Sequence, residues 1–355
     1  MHLLSRFLLT LVPSTSPNGL SPIIMKLNIL FCAAFSALTF LSAKADDIAP
    51  VLWYGMMPHP YIAEVQKGAE AAAKDFGIKI DTTVGQEWTQ ANETQNIEQQ
   101  SARGYKAISL FPGDPTGANG LASSLIRHHI LVVAYGGQPH TPTPIPFTVG
   151  TDIKGAAMRA TEDLIKIMGD KGNILNILET VTDVNTKLRD DGIKEVVAKH
   201  PNVHIIQTIA DMTQQSVART KIESAIAARG NEIDGIITTG YNPTVAASGL
   251  LTERHKNPNL KQFHFIGIDT DPITLQAIRD GAIDGTIAQN PFAHGYISCA
   301  LLKYMLDGYK PIKPYQLVDA GDVLVTKENV DTFSQQIDAI TEQLKKDLTT
   351  KYLTK

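Results

Sequence analysis

Residues 107–117 read AISLFPGDPTG and residues 235–245 read GIITTGYNPTV. Each is a short apolar run, then a polar turn carrying Gly or Pro, then the opening of a helical pattern. A pattern that restarts in this way predicts two similar lobes. In an open parallel sheet, ligands sit outside the carboxyl ends of the strands, and both copies place their polar residues there. Two such lobes facing each other make a cleft, so function is expected between the halves.

The rest of the chain supports an α/β class with two doubly wound parallel sheets, because strands and helices alternate regularly. VLWYG (51–55) reads as the first strand. In the helix that follows, Ile62, Val65, Ala69, Ala72 and Phe76 recur at spacings of three and four, and Gly77 ends it. Further strands are expected near 78–84, 107–111 and 130–134, with helices near 91–103 and 119–129. The Pro-rich stretch 141–147 can be neither helix nor central strand, since Pro fixes φ and lacks a donor. A crossing between lobes is expected beside it, at VGTD (149–152). A second series runs from a strand at 173–178 to one at 285–288. Gln289-Asn290-Pro291 then marks a second crossing, and a third is expected near Gly321. The expected N-terminal lobe is 48–150 with 291–320, and the C-terminal lobe is 151–290 with 321–355. Several short crossings acting together predict a hinge that permits rigid-body closure.

The front of the chain is different. From Met25, Lys26 supplies a short basic region, Ile29 to Leu41 an apolar stretch, and Ala43-Lys44-Ala45 a small-x-small cleavage site. This predicts a secretory leader over 25–45, with residues 1–24 as an upstream extension and Asp46 as the first mature residue. The apolar stretch is too short to span a bilayer. The whole chain has a net charge of −4; without residues 1–45 it keeps 29 basic and 36 acidic side chains, a charge of −7. An acidic surface argues against nucleic acid as a partner. Only Cys299 remains beyond the leader, so no internal disulfide is expected, and export without disulfides suits a bacterial periplasm.

Several polar and aromatic residues fall at expected strand ends. Asp269 closes FIGID, and Asp271 before Pro272 is the better helix cap, which frees Asp269 for a ligand. His59 is fixed between two prolines, and Tyr61 and Trp88 offer rings for a ligand face. Tyr135, Asp183, Asn185, Asp211, Tyr241 and Asn242 are further candidates, while Asp114 reads as a cap. His128-His129 lacks partners for a metal. GxGxxG, Walker, GxSxG and HExxH motifs are all missing, and no nucleophile and base pair is visible, so neither a cofactor nor catalysis is expected.

Five ordered motifs carry a resemblance: PHPYI (58–62), VGTD (149–152), GIDTDP (267–272), AQNPFAHG (288–295) and VLVTKENVD (323–331). Together they make the chain resemble the sugar-binding periplasmic proteins of ABC transporters, of the ribose-binding type. The resemblance implies a type I periplasmic binding fold that closes on a small polar ligand, a sugar or polyol, and docks on an inner-membrane permease. It assigns ligand contacts to His59, Tyr61, Asp269 and Gln289, with Met212 in place of an aromatic ring. Three positions depart from the family. Gly136 and Gly137 stand where an Asp-Arg pair clamps hydroxyls, the Arg of the helix after the second lobe's first strand falls near Lys187, and an Asn contact falls in the turn Gly240-Tyr241-Asn242. Lys187 thereby raises the expectation of an anionic or differently shaped ligand. Presentation of ligand to a chemoreceptor or sensor kinase is the alternative to transport. A sugar-acting enzyme would need a paired acid and base in the cleft.

Overall fold

The computed structural model describes residues 50–355; the expected leader and the segment before it lie outside the described residues. Two six-stranded sheets dominate. The first contains β1 (Val51–Gly55), β2 (Ile80–Val84), β3 (Ala107–Leu110), β4 (Leu131–Tyr135), β5 (Phe147–Gly150) and β12 (Gln316–Asp319), in the order β2-β1-β3-β4-β5-β12, all parallel. The second contains β6 (Gly172–Ile177), β7 (Val203–Ile209), β8 (Gly235–Thr238), β9 (His264–Ile268), β10 (Gly285–Gln289) and β13 (Asp322–Thr326), in the order β7-β6-β8-β9-β10-β13. Only β13 runs antiparallel. The first five strands of each sheet share one topology. The strand order reverses beside β1 and β6, so those strand ends open crevices where a ligand can bind.

The helices explain why the chain winds this way. In α1 (Pro60–Phe76), His59 caps the start, Pro60 occupies the first turn where no donor is needed, and Gly77 ends it at a left-handed φ of 60°. Its buried residues are Ile62, Val65, Gly68, Ala69 and Ala72; of the stripe expected from spacing, Phe76 alone is only partly buried. The first lobe also holds α2 (Gln90–Ser101) and α3 (Gly117–Arg127). The second holds α4 (Ile153–Ile167), α5 (Val184–Val197), α6 (Gln215–Arg229), α7 (Tyr241–His255) and α8 (Pro272–Arg279). The chain then returns through α9 (Pro291–Leu306), which is buried almost all round inside the first lobe's core. Among the described residues no helix is long and apolar enough to cross a membrane.

The lobes are joined at three places: β5 to α4, β10 to α9, and β12 to β13. Asn290 ties the second and third of these to the last helix. Its side chain caps α9 by accepting from Ala293 N (3.1 Å), and its Nδ2 donates to Ala320 O (3.1 Å) and to Thr341 Oγ1 (2.9 Å). The last helix, α10 (Phe333–Asp347), departs from the expected partition of 321–355 into the C-terminal lobe. Phe333 and Ile337 pack on the second lobe, whereas Ile340, Leu344, Leu348 and Leu353 pack into the first. The chain end, β14 (Leu353–Thr354), pairs with β11 (Lys310–Pro311). An amphipathic helix offers one apolar stripe, and here that stripe is divided lengthwise between two cores.

Helices α1 and α9 approach backbone to backbone. A β-carbon on Gly68 would lie 2.0 Å from Phe292 O, and one on Gly295 would lie 1.8 Å from Val65 O. Gly295→Val is therefore expected to destabilise the first lobe by about 2–3 kcal/mol in urea unfolding, through overpacking. Gly249→Ala, in α7 with open space around it, is expected to stabilise by about 0.5–1 kcal/mol.

Candidate ligand-binding site

Both crevices are lined by residues just beyond strand ends, and they face each other. In the second lobe, Asp269 follows β9 at a φ of 70°, a left-handed conformation unusual for a side chain of this kind. It is held there by Asp269 N donating to Ile287 O (2.8 Å) and by Thr286 Oγ1 donating to Asp269 O (2.8 Å). Gln289 Nε2 donates to Asp269 Oδ1 at 2.6 Å. Gln289 Oε1 in turn accepts from Arg189 Nη2 at 3.4 Å, and Arg189 Nη1 donates to Thr239 O at 2.9 Å. Arg189 is 8% exposed, and its Nε has no partner.

Glu179 stands two residues past β6. Its Oε1 accepts from Asn242 N (3.0 Å) and Asn242 Nδ2 (2.9 Å). Burial pushes its carboxyl up to about 7 against these donors, with Asp269 adding to the rise. Among the described residues, none of Asp269, Glu179 and Arg189 forms an ion pair within 4.0 Å. Arg189 is buried and Asp269 and Glu179 are half-buried; ionisable groups taken from water without counter-ions are costly, so their clustering at a strand-end crevice marks a place prepared for another molecule.

The first lobe answers with rings. His59 Nδ1 accepts from Tyr61 N at 3.2 Å, which puts the proton of the neutral ring on Nε2, and burial lowers the ring's pKa although Asp269 opposes this. The Tyr61 hydroxyl shares a 2.7 Å hydrogen bond with Nδ1 of buried His294, whose pKa burial lowers to about 3. Burial, reinforced by Asp269, raises the Tyr61 phenol, so it stays protonated. Trp88 packs edge-on against both His59 (5.9 Å between centroids) and Phe111 (5.0 Å). His59 also meets Tyr241 of the other lobe at 5.2 Å, a contact across the cleft.

The structure brings His59, Tyr61, Trp88, Asn242, Asp269 and Gln289 to this cleft and places Tyr135, Met212 and Lys187 elsewhere. Tyr135 is fully buried, stacked on Trp53, and its hydroxyl donates to Tyr54 O (2.8 Å); it is a core pillar. Met212 is also fully buried and supports the site from behind, donating its N–H to Glu179 O (2.6 Å). Asn242 lies in the cleft, but its donors are spent on Glu179. The turn expected at 240–242 is already the first turn of α7, where Pro243 is tolerated. Asp183 caps α5 by accepting from Thr186 N (2.7 Å). Lys187 is 69% exposed at its side chain and pairs with Asp191, so it leaves the cleft. The inward cation is Arg189, two residues on and about 200° round the helix, in phase with buried Thr186, Ile193 and Val196. That phase was the available signal. Glu179 and Phe111 carried a weaker one, their position at strand ends.

Gly136 and Gly137 also find an explanation. A β-carbon on Gly136 (φ 71°) would lie 2.5 Å from the Tyr61 hydroxyl and 2.6 Å from Phe111 Cε2. Rings occupy the space above these glycines. A separate groove of about 650 Å³ between α2 and α3, lined by Gln90, Thr94, Gln95 and Glu98, shares no residue with this cleft.

The chain belongs to the family described as "Periplasmic binding protein domain", whose model matches residues 52–310. It is 21% identical over 285 residues to the ribose import binding protein RbsB of Haemophilus influenzae, covering 80% of this chain and 94% of that relative. It is 23% identical over 289 residues to the xylitol-binding protein of Mycolicibacterium smegmatis, covering 80% and 78%. An ABC transporter solute-binding protein from Burkholderia graminis, solved in complex with D-arabinose, superposes with a TM-score of 0.73 at 24% identity, covering 81% of this chain and 98% of that one. One from Bacillus halodurans with bound myo-inositol superposes with a TM-score of 0.71 at 18% identity, covering 81% and 97%.

Calorimetric titration is expected to separate the two cations of α5. Arg189→Ala weakens ligand binding by about 10- to 100-fold, because it removes charge-assisted donors. Lys187→Ala leaves binding within about twofold, as an exposed ion pair contributes little.

Proposed function

We propose that this chain is the solute-binding component of an ABC importer, exported to the periplasm, which takes a neutral sugar or polyol between its lobes and delivers it to the membrane permease. The observation that carries this reading is the pairing of opposites across the cleft. Asp269, Gln289, Arg189 and Glu179 supply acceptors and donors on one wall, and His59, Tyr61 and Trp88 supply ring surface on the other. A sugar carries hydroxyls and C–H faces together, so it satisfies both walls at once. The complexes of related solute-binding proteins with D-arabinose and myo-inositol support the same ligand class.

Closure follows from where the contacts come from. Each lobe alone offers half a site, and a ligand touching both shifts the population toward the closed form. The contact of His59 with Tyr241 is then part of the closed state rather than of either lobe. An affinity near 1 μM corresponds to about −8 kcal/mol, which a few charge-assisted hydrogen bonds and one packed ring supply after ordering costs. Lys187 no longer favours an anion.

The test is a thermal-shift and calorimetric screen of D-arabinose, D-fucose, xylitol and myo-inositol. At least one is expected to raise the melting temperature and to bind with one-to-one stoichiometry. Asp269→Ala is expected to weaken that binding by about 10- to 100-fold. A protein that binds none of the neutral compounds, or an Asp269→Ala variant of unchanged affinity, contradicts the reading.

A further inference from the structure

Among the charged groups of the cleft, Glu179 is the one whose placement uses the most of its surroundings. Its Oε1 is saturated by two donors from Asn242, and its backbone N–H is held by Thr239 Oγ1 at 3.0 Å. Its Oε2 lies over Gly240, where a β-carbon would approach to 1.9 Å. Gly240 has an extended backbone (φ −171°), so this position needs no glycine for conformational reasons; it needs the space. Met212 N and Thr239 Oγ1 fix the Glu179 backbone, while Asn242 and the space over Gly240 place its carboxyl with one oxygen free at the crevice beside β6. No cation lies within ion-pair distance among the described residues.

We infer that Glu179 is a second carboxyl contact to the ligand, a specificity residue that accepts a hydroxyl through Oε2 and makes the cleft reject sugars bearing a carboxylate or phosphate. This rests on the sugar-binding reading above. The rings of Tyr61 and Phe111 fill the space over Gly136 and Gly137, so hydroxyl capture shifts to the opposite wall, where Asp269 and Glu179 stand. Two carboxyls against the single guanidinium of Arg189 give that wall an acceptor excess, and burial disfavours the charged form of His59. An anionic group entering there meets like charge with no spare cation.

The groups facing Glu179 are Asp269 after β9, Arg189 and Asp183 on α5, the Asn242 amide on α7, and, through Asp269, His59 and Tyr61 of the first lobe. Burial has already raised the Glu179 carboxyl to about 7. A ligand hydroxyl donates to the ionised form, so binding favours loss of the proton. Affinity is therefore complete above pH 7 and declines as pH falls through it, by about tenfold between pH 8 and pH 6.

The experiment titrates wild type, Glu179→Gln and Gly240→Ala with D-arabinose, D-fucose, myo-inositol and D-galacturonate at pH 6, 7 and 8. For the neutral compound bound most tightly, wild type is expected to show the decline with acid and to bind D-galacturonate at least about tenfold more weakly. Glu179→Gln is expected to lose about tenfold in affinity at pH 8 and to flatten the pH profile. Gly240→Ala displaces the carboxyl without removing it and is expected to do the same, which keeps the test open if Glu179→Gln fails to fold. Unchanged affinity and pH profile in the folded variants overturn the assignment, as does D-galacturonate binding equal to that of the neutral compound. If no neutral compound binds wild type, the sugar-binding reading itself fails, a result distinct from either.

Discussion

Three ionisable groups lining one lobe's crevice, buried Arg189 and half-buried Asp269 and Glu179, do not pair with one another, and the residues around them are arranged to keep them apart. A free ion pair would collapse this arrangement. Gln289 prevents it by standing between Asp269 and Arg189, accepting from one and donating to the other. Asn242 does the same for Glu179 by occupying one carboxylate oxygen. Amides thus hold the charges in position while leaving their electrostatic need unmet, and a ligand that meets it gains more than it would from groups already satisfied.

The first lobe contributes shape rather than charge. Trp53, Tyr135, Phe111, Trp88 and His59 form a run of ring contacts from the sheet's core to the cleft, each centroid within 6 Å of the next. The inner members, Trp53 and Tyr135, are fully buried and fix the outer ones. His59 then reaches Tyr241, whose hydroxyl donates to Asp271 (2.7 Å) at the cap of α8. The two lobes therefore meet here in a ring contact on a rigid support. Hinge and core are linked by the same logic, since Asn290 joins two crossings to α10 while α10 itself is divided between the two cores.

Much of this was legible in the residues. The duplicated strand-turn-helix pattern announced two sheets of one topology, and Gly77, Pro291 and the apolar stripe of α1 marked real boundaries. Asp269 and Gln289 could be placed at the crevice from sequence because one directly follows a buried strand and the other ends one. Lys187 could not, because sequence proximity to the helix start says nothing of phase. Only the period shared with Ile193 and Val196 distinguishes Arg189 from it. Tyr135 looked like Tyr61, a ring at a strand end; what separates them is whether the hydroxyl finds a backbone acceptor inside the sheet. The division of α10 between lobes was invisible, since both cores accept the same apolar stripe.

The central claim is that the two walls of the cleft close over one guest. Small-angle X-ray scattering of the protein, alone and saturated with a neutral sugar or polyol that calorimetry shows to bind, tests it most directly. A smaller radius of gyration is expected in the saturated protein. An unchanged radius with the compound demonstrably bound would contradict it.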